Sequence, residues 1–355
     1  MTAEDEARRA RFAEFFDFGT GHGLEIGPLA KPIAVRPAAD VSYVDITDRA
    51  GLVAHYLEDP GVDTDAIPEL DFWLTQPDGI VTIDEACTGG APFDWVVASH
   101  VVEHIPDVIA WLQQIAAVTT DGGTLVLAIP DRRYSFDVHR PPTTVGQALE
   151  AHDRGDRRPQ TRAVFDYFHQ VVTLTPADAW AGHVPGPEAR IHTLDAAVDF
   201  TRRAREGDYV DSHVWLFTPA EFVAFVDDLG RLGLVDFAVE RVVPTRRDEL
   251  EYYALLTRLP RGTDTASTAA ERERLHDEAL DSLTAEELPA GPDQALSEAT
   301  ARITRLERRL AKTTRQRDRA RRRVRQLTGP TRWRAGVVVT AAYVRDRLRR
   351  RSSGG

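Results

Sequence analysis

The chain has 355 residues, 42% hydrophobic and 28% charged, enough for one large domain with appendages or for two domains. Its single cysteine, Cys87, excludes an internal disulfide and a cysteine-rich zinc site. The net charge of −12 is unevenly placed: residues 301–355 hold 19 Arg and Lys against 3 Asp and Glu, and the first 300 hold 25 against 53, so the acidic body argues against nucleic acid as the main substrate.

The N-terminus is charged and lacks the apolar core of a signal peptide. The longest apolar run near the end, residues 335–344, is shorter than the about 20 residues a bilayer span takes. A cytoplasmic protein is expected. Residues 4–16 read as an amphipathic helix with Phe12, Phe15 and Phe16 at its apolar end. The Gly-x-Gly-x-Gly at residues 19–23 precedes a strand, whereas a dinucleotide fingerprint follows one and opens a helix. No second glycine comes soon after Gly27, so a nicotinamide-type pyrophosphate turn is not expected.

Residues 23–28 read as a short buried strand stopping in a glycine turn, and residues 41–46 as a second strand with Asp45 near its end. Such a pair can build a nucleotide crevice at the carboxyl edge of a parallel sheet. The glycine admits a ligand close to the backbone, and the carboxylate can accept both hydroxyls of a ribose. Gly also ends many strands and Asp sits in many turns, so the pair has an ordinary reading too. A helix over 49–58 and a third strand over 67–72, carrying Asp71, follow. Residues 93–99 are a fourth strand of the kind buried on both faces. Residues 107–119 carry Val108, Trp111, Leu112, Ile115 and Val118 at helical spacing. Asp121-Gly122-Gly123 is read as ending that helix, and 124–129 as the fifth strand. Strand, helix and strand in this rhythm mean a parallel sheet with crossover helices.

After Pro130 the rhythm breaks, and about 131–216 is read as an insertion over the open edge of the sheet. Thr218, Pro219 and Glu221 start a further helix with a capping box, ending near Gly230 or Gly233. Strands at 235–243 and 251–259 close the body. Residues 261–294 read as a linker, with one helix near 268–284. Heptads over 295–328, with Leu296, Ile303, Leu310, Leu306 and Leu327 on the seam, predict a coiled coil and a homo-oligomer. Residues 331–351 read as a basic amphipathic helix that meets either an anionic membrane at the inner face or the acidic body.

In order along the chain, Leu24-Glu-Ile-Gly-Pro28, Tyr43-Val-Asp45, Asp94-Trp-Val-Val-Ala-Ser-His100, Glu103-His104, Asp121-Gly-Gly123, Ile129-Pro-Asp131 and Asp211-Ser-His213-Val-Trp215-Leu-Phe-Thr-Pro219 make residues 15–260 resemble class I S-adenosylmethionine-dependent methyltransferases. Within these the chain looks like the bacterial subgroup found with glycosyltransferases in surface-polysaccharide biosynthesis. The resemblance implies an α/β, Rossmann-like seven-stranded sheet, and S-adenosyl-L-methionine as cofactor. It departs from the usual glycine-rich first turn in reading Gly27-Pro28-Leu29.

The resemblance also implies roles. Glu25, Gly27 and Pro28 would lie against the methionine portion of the cofactor, Asp45 would hold the ribose diol, Asp71 and Phe72 would flank the adenine, and Ser99 and His100 would line the pocket floor. A hydroxyl acceptor needs a base for its proton, for which His104, His213 and His100 are candidates; a lone His is more often structural. Arg132, Arg133 and Arg140 could contact an anionic acceptor, a nucleotide-sugar or phosphorylated glycan, or could equally form surface ion pairs. Tyr134, His192 and Trp215 complete the expected acceptor site. Glu103 and His104 alone do not make a metal site, and no metal is expected. The implied function is O-methylation of a sugar or glycan. The alternatives are a non-catalytic scaffold whose coiled coil recruits glycan-assembly partners, and an NAD-linked oxidoreductase, which the missing Gly-x-Gly-x-x-Gly argues against.

Overall fold

The structure is a computed structural model and describes residues 3–260 and 265–283. Seven strands form one sheet: β1 (His22–Ile26), β2 (Asp40–Asp45), β3 (Phe72–Trp73), β4 (Phe93–Ser99), β5 (Thr119–Pro130), β6 (Phe237–Val243) and β7 (Glu251–Arg258). Their order across the sheet is β3-β2-β1-β4-β5-β7-β6. The first five are parallel, and β7 is inserted antiparallel between β5 and β6. Order reverses between β1 and β4, so the crevice of this sheet lies at their carboxyl ends.

Alternation along the strands makes two cores. Leu24, Ile26, Val44, Val96, Ala98, Leu125, Leu127 and Ile129 face one side, where Ile109, Leu112, Ile115, Phe222 and Val226 of two helices cover them. Val41, Tyr43, Trp95, Val97, Val126, Ala128 and Tyr253 face the other, against Phe12. A period of two with both faces covered is what a central parallel sheet demands. Each fully buried Leu, Ile or Phe contributes about 1.5–3 kcal/mol before the entropy of ordering it. Gly23 has no side chain because a Cβ there would run into the Trp95 ring.

Among the helices, α1 (Ala3–Ala13) packs Phe12 edge-on against Tyr253, with ring centroids 4.9 Å apart. Asp48 caps α2 (Arg49–Tyr56) by accepting from Gly51 N at 2.8 Å. After a one-turn α3 (Ile83–Ala86), Asp107 caps α4 (Val108–Val118). The chain leaves the sheet at Asp131 and returns at Phe217, the two joined by a parallel bridge. Between them lie α5 (Val145–Arg154), α6 (Thr161–Gln170), α7 (Pro176–Trp180) and α8 (Leu194–Glu206). Next, α9 (Pro219–Arg231) starts with the expected capping box of Thr218 and Glu221.

Three expectations need correction. The third strand is only Phe72–Trp73, because Pro68 has no N–H to offer a ladder. Asp121-Gly122-Gly123 does not end α4; it lies inside β5, in an irregularity where Phe93 pairs with Thr119 and Trp95 with Thr124. Gly122 has φ +77°, and such a glycine serves a bulge as well as a helix end. Residues 265–283 contain the helix expected near 268–284, but it packs on the body instead of lying in a linker. This helix, α10 (Thr265–Asp281), buries Leu275 and Ala279, and Arg272 donates to the carbonyls of Phe237 at 2.7 Å and Val235 at 3.1 Å. The linker-like composition belongs to its solvent face. The coiled coil over 295–328 and the basic helix over 331–351 lie outside the described residues.

Candidate active site

Two walls meet at the carboxyl edge of the sheet. The first is the corner of β1 and β2. After Ile26 the chain turns at Gly27, with φ +67°, and its N–H donates to Val44 O at 2.9 Å. A Cβ on Gly27 would lie 3.3 Å from Val101, so the turn is left open on the crevice side by the missing side chain. Pro28 follows, buried, and Leu29 has φ 43°. Across from Gly27 stands Asp45, at the end of β2. Its carboxylate accepts from Ile46 N at 2.7 Å and has no ion pair among the described residues. Burial pushes its carboxyl above the ordinary value. Tyr56 sits near both Asp45 and Asp211; burial raises its phenol, and both carboxylates add to the shift.

The second wall follows β4. The chain reverses at His100, a non-glycine residue with φ 55°, whose N–H donates to Ala128 O at 3.0 Å. Its ring lies between two carboxylates: Nε2 is 2.5 Å from Glu251 Oε2 and Nδ1 3.3 Å from Glu103 Oε1. Burial opposes the imidazolium, but Glu103 and Glu251 outweigh it and raise its pKa to about 10. A short 3-10 turn, Val102–His104, then presents Glu103 and His104. The segment at 211–215 docks on this turn through Val214 N, which donates to Glu103 O at 2.6 Å. It brings Asp211 to His104 Nδ1 at 2.8 Å. It also brings His213 edge-on to His104, with ring centroids 4.8 Å apart. His213 Nδ1 in turn meets Asp137 Oδ2 at 2.6 Å. Burial works against the charge on His104, Asp211 and Asp137, yet pairing prevails: His104 is raised, and Asp211 and Asp137 are lowered.

Of the three histidines expected as bases, His104 and His213 share one cluster. His100 is held as a cation, which removes it as a base. Several other expected site residues are committed elsewhere. Both oxygens of the buried Glu25 accept backbone N–H groups, from Ile33 at 2.7 Å and Ala34 at 3.0 Å, so it braces the loop after Gly27 rather than facing the crevice. Burial still raises its carboxyl to about 7 despite those bonds. Asp71 precedes β3 and is bound by Arg36 and by Tyr43 N, on the strand side away from the carboxyl edge. Phe72 packs on the core near Phe93. Ser99 Oγ accepts from Arg8 of α1, a residue the motifs did not single out.

The expected acceptor contacts are also mostly internal. Arg132 makes a bidentate pair with Glu221, at 2.9 and 2.8 Å. Arg133 pairs with Asp131, with Nη2 at 2.6 Å from Oδ2. Arg140 is buried and joins Asp137 Oδ1 and His213 O, each at 2.8 Å. These pairs form because 131–140 must fold back on the sheet edge, and a buried guanidinium needs carboxylates. Trp215 is 1% exposed and donates to Ile105 O, so it is core. Tyr134 stacks on Trp180 with centroids 3.9 Å apart. His192 packs with Phe168 and Phe200, in the cluster of α6 and α8.

What remains at the β1 and β2 corner fits an adenosine-bearing cofactor. The crevice offers an open glycine turn and a strand-end carboxylate with hydrogen-bonding capacity to spare. Comparison with known proteins bears on the family. A model of the methyltransferase domain matches residues 4–222. A search of curated proteins returns no match. Among solved structures the chain is similar to the mitomycin 7-O-methyltransferase MmcR, at 14% identity over 72% of this chain and 54% of that one, TM-score 0.35. It thus spans about half the length of MmcR. It is similar to the magnesium protoporphyrin IX methyltransferase ChlM from Synechocystis PCC 6803, at 13% identity over 72% and 82%, TM-score 0.32. It is also similar to the CcbJ methyltransferase from Streptomyces caelestis, at 10% identity over 73% and 91%, TM-score 0.36. The family match, spanning well over half of the chain, carries the assignment, and the sheet order β3-β2-β1-β4-β5-β7-β6 agrees with it: the chain belongs to the class I S-adenosylmethionine-dependent methyltransferases.

Proposed function

We propose that the protein O-methylates a sugar or glycan acceptor. The observation that carries this reading is the His104–Asp211 pair, 2.8 Å long, just past the carboxyl end of β4. A hydroxyl acceptor must lose its proton as the new bond forms, and the cluster of Glu103, His104 and His213 is where this chain can take it. S-adenosylmethionine, when bound, supplies the methyl group as an activated sulfonium. Gly27 and Asp45 are the residues that would hold it, Asp45 through the ribose hydroxyls. The chain's further contribution is placement, since holding the acceptor oxygen in line with the methyl group removes much of the barrier.

Hydrogen-bonding groups on Tyr56, Tyr209, Asp211 and His104 suit an acceptor rich in hydroxyls. With Arg132, Arg133 and Arg140 paired to carboxylates, the reading favours uncharged sugar hydroxyls over a phosphate as the recognised group. Incubating the full chain with methyl-labelled cofactor and a panel of glycans and nucleotide-sugars tests it. Label should appear on a sugar oxygen and vanish with the matching deoxy-sugar. Transfer only to nitrogen or carbon acceptors would sink the glycan reading. The heptads at 295–328 are proposed to oligomerise the chain, and 331–351 to touch anionic membrane. A monomer by light scattering would contradict the first, and failure to co-sediment with anionic vesicles at low salt the second.

No helix among the described residues is long and apolar enough to cross a membrane.

A further inference from the structure

Glu103 is a buried carboxylate whose one ion pair, with the His100 imidazolium, leaves its hydrogen-bonding capacity unused. Its side chain is 1% exposed, and neither carboxylate oxygen has a hydrogen-bond partner. The 3.3 Å approach of His100 Nδ1 is an ion-pair contact without hydrogen-bond geometry. His100 compensates the charge, but two buried carboxylate oxygens without a hydrogen bond still have coordinating capacity to fill. One ligand atom from each of Glu103, His104 and His213 lies within 4.8 Å of the other two.

The two imidazoles are oriented from behind. His104 Nδ1 meets Asp211 Oδ1 at 2.8 Å, and His213 Nδ1 meets Asp137 Oδ2 at 2.6 Å. Each ring nitrogen bonded to a carboxylate carries the proton, which leaves each Nε2 with its lone pair. A carboxylate behind an imidazole is the arrangement that fixes the tautomer and rotation of a metal-ligating histidine. Support continues one layer out: Arg140 holds Asp137 at 2.8 Å and His213 O at 2.8 Å, and Val214 N clamps the segment to Glu103 O at 2.6 Å.

We propose that Glu103, His104 and His213 bind a divalent transition-metal ion. Two imidazoles and one carboxylate form a donor set used for catalytic zinc and for other divalent first-row metals, and three protein ligands leave a position open. Magnesium and calcium prefer all-oxygen shells and suit it less. The site opens toward the crevice through His104, which is partly exposed. If the proposed function holds, on which this clause alone rests, the open position would receive the acceptor hydroxyl and the ion would lower its pKa as it does that of bound water, the proton passing to water while His104 and His213 serve as ligands in place of acting as bases.

The test uses the full chain without a histidine tag, stripped with a chelator and titrated with Co²⁺ while its visible absorption is read. One Co²⁺ per chain should bind with ligand-field bands, and Zn²⁺ should displace it. Glu103→Gln, which keeps the side chain's shape, and His104→Ala, at a partly exposed position, should each weaken Co²⁺ by more than about 100-fold, and Asp211→Asn by about 10–100-fold. His152→Ala should bind like wild type, because His152 pairs with Asp107 at a separate place. Thermal melts establish that each variant is folded. Wild type that shows no bands while still binding S-adenosylmethionine in a calorimeter would overturn the site and leave the methyltransferase reading standing. Either ligand variant binding Co²⁺ like wild type would overturn it too. Stoichiometric Co²⁺ lost in both variants, with no cofactor binding, would uphold the site and sink the methyltransferase reading instead.

Discussion

The two walls of the crevice are built differently. The β1 and β2 corner comes from about twenty consecutive residues, with a glycine turn, a braced loop and one carboxylate at a strand end. The β4 wall is assembled from four distant stretches, around residues 100–104, 137–140, 211–215 and 251. Its side chains are joined by charge pairs on top of the backbone turn at residues 100–104 and the docking of Val214 on it. The first wall should therefore tolerate loss of any charge except Asp45, whereas the second should respond to single charge deletions in both stability and turnover.

The largest separation of the two walls is expected from His104→Ala. Transfer to a hydroxyl acceptor should fall about 10²–10⁴-fold, the usual range for removing a group that handles the proton. Cofactor affinity should stay within a few-fold, because Asp45 and Gly27 are untouched. Steady-state rates and calorimetry on the same preparation check it, and equal losses in both would merge the walls into one unit.

Arg140→Ala comes next. It leaves buried Asp137 with His213 alone, and breaking such a buried pair costs about 3–5 kcal/mol. Urea melts should show that loss. A change below about 1 kcal/mol would mean that the β4 wall does not depend on this pair.

Glu25→Gln tests the other wall through pH. Burial raises the carboxyl from 4.5 to about 7 in the folded protein. The unfolded chain therefore releases this proton first, and folding stability falls as pH rises from about 4.5 to about 7, then levels off. The window amounts to about 3 kcal/mol. In Glu25→Gln that fall should disappear, so the variant gains on wild type between pH 5 and pH 8. A pH-independent difference between the two would contradict the burial of a titrating carboxyl there.

Gly27→Ala should cost about 1–2 kcal/mol of stability, for a side chain held at φ +67°. Its Cβ would approach Val101 to 3.3 Å and narrow the turn. Cofactor affinity should drop more than the melting temperature suggests. An affinity loss fully explained by instability would mean that the turn does not face the cofactor.

The sequence was readable where a short stretch determines its own shape. β4 and α4 follow from an apolar run and from a 3.6-residue spacing, and Thr218 with Glu221 announces α9. Gly27 and Asp45 were legible because a strand-end glycine and a strand-end acid are local signals. Asp71 was misplaced because Pro68 kept the preceding residues out of the ladder, leaving the acid to pair with Arg36. The arginines at 132, 133 and 140 looked available because their partners, Glu221 among them, do not reveal themselves by spacing. His213 was among the candidate bases, but its place beside Glu103 and His104 was not legible, for the same reason. His213 lies 109 residues beyond His104, and only the docking of Val214 on Glu103 brings it there.

The measurement closest to the centre of this account is S-adenosylmethionine affinity of wild type, Asp45→Ala and Asp48→Asn by calorimetry, with thermal melts alongside. Asp48 caps α2 through its side chain, so asparagine, which keeps the cap, is the proper neighbour control. A carboxylate accepting two ribose hydroxyls contributes charge-assisted bonds of roughly 1.5–3 kcal/mol each. Asp45→Ala should then weaken binding about 100-fold or more with an unchanged melt, and Asp48→Asn should bind like wild type. Asp45→Ala binding as tightly as wild type would contradict the placement of the cofactor at the β1 and β2 corner.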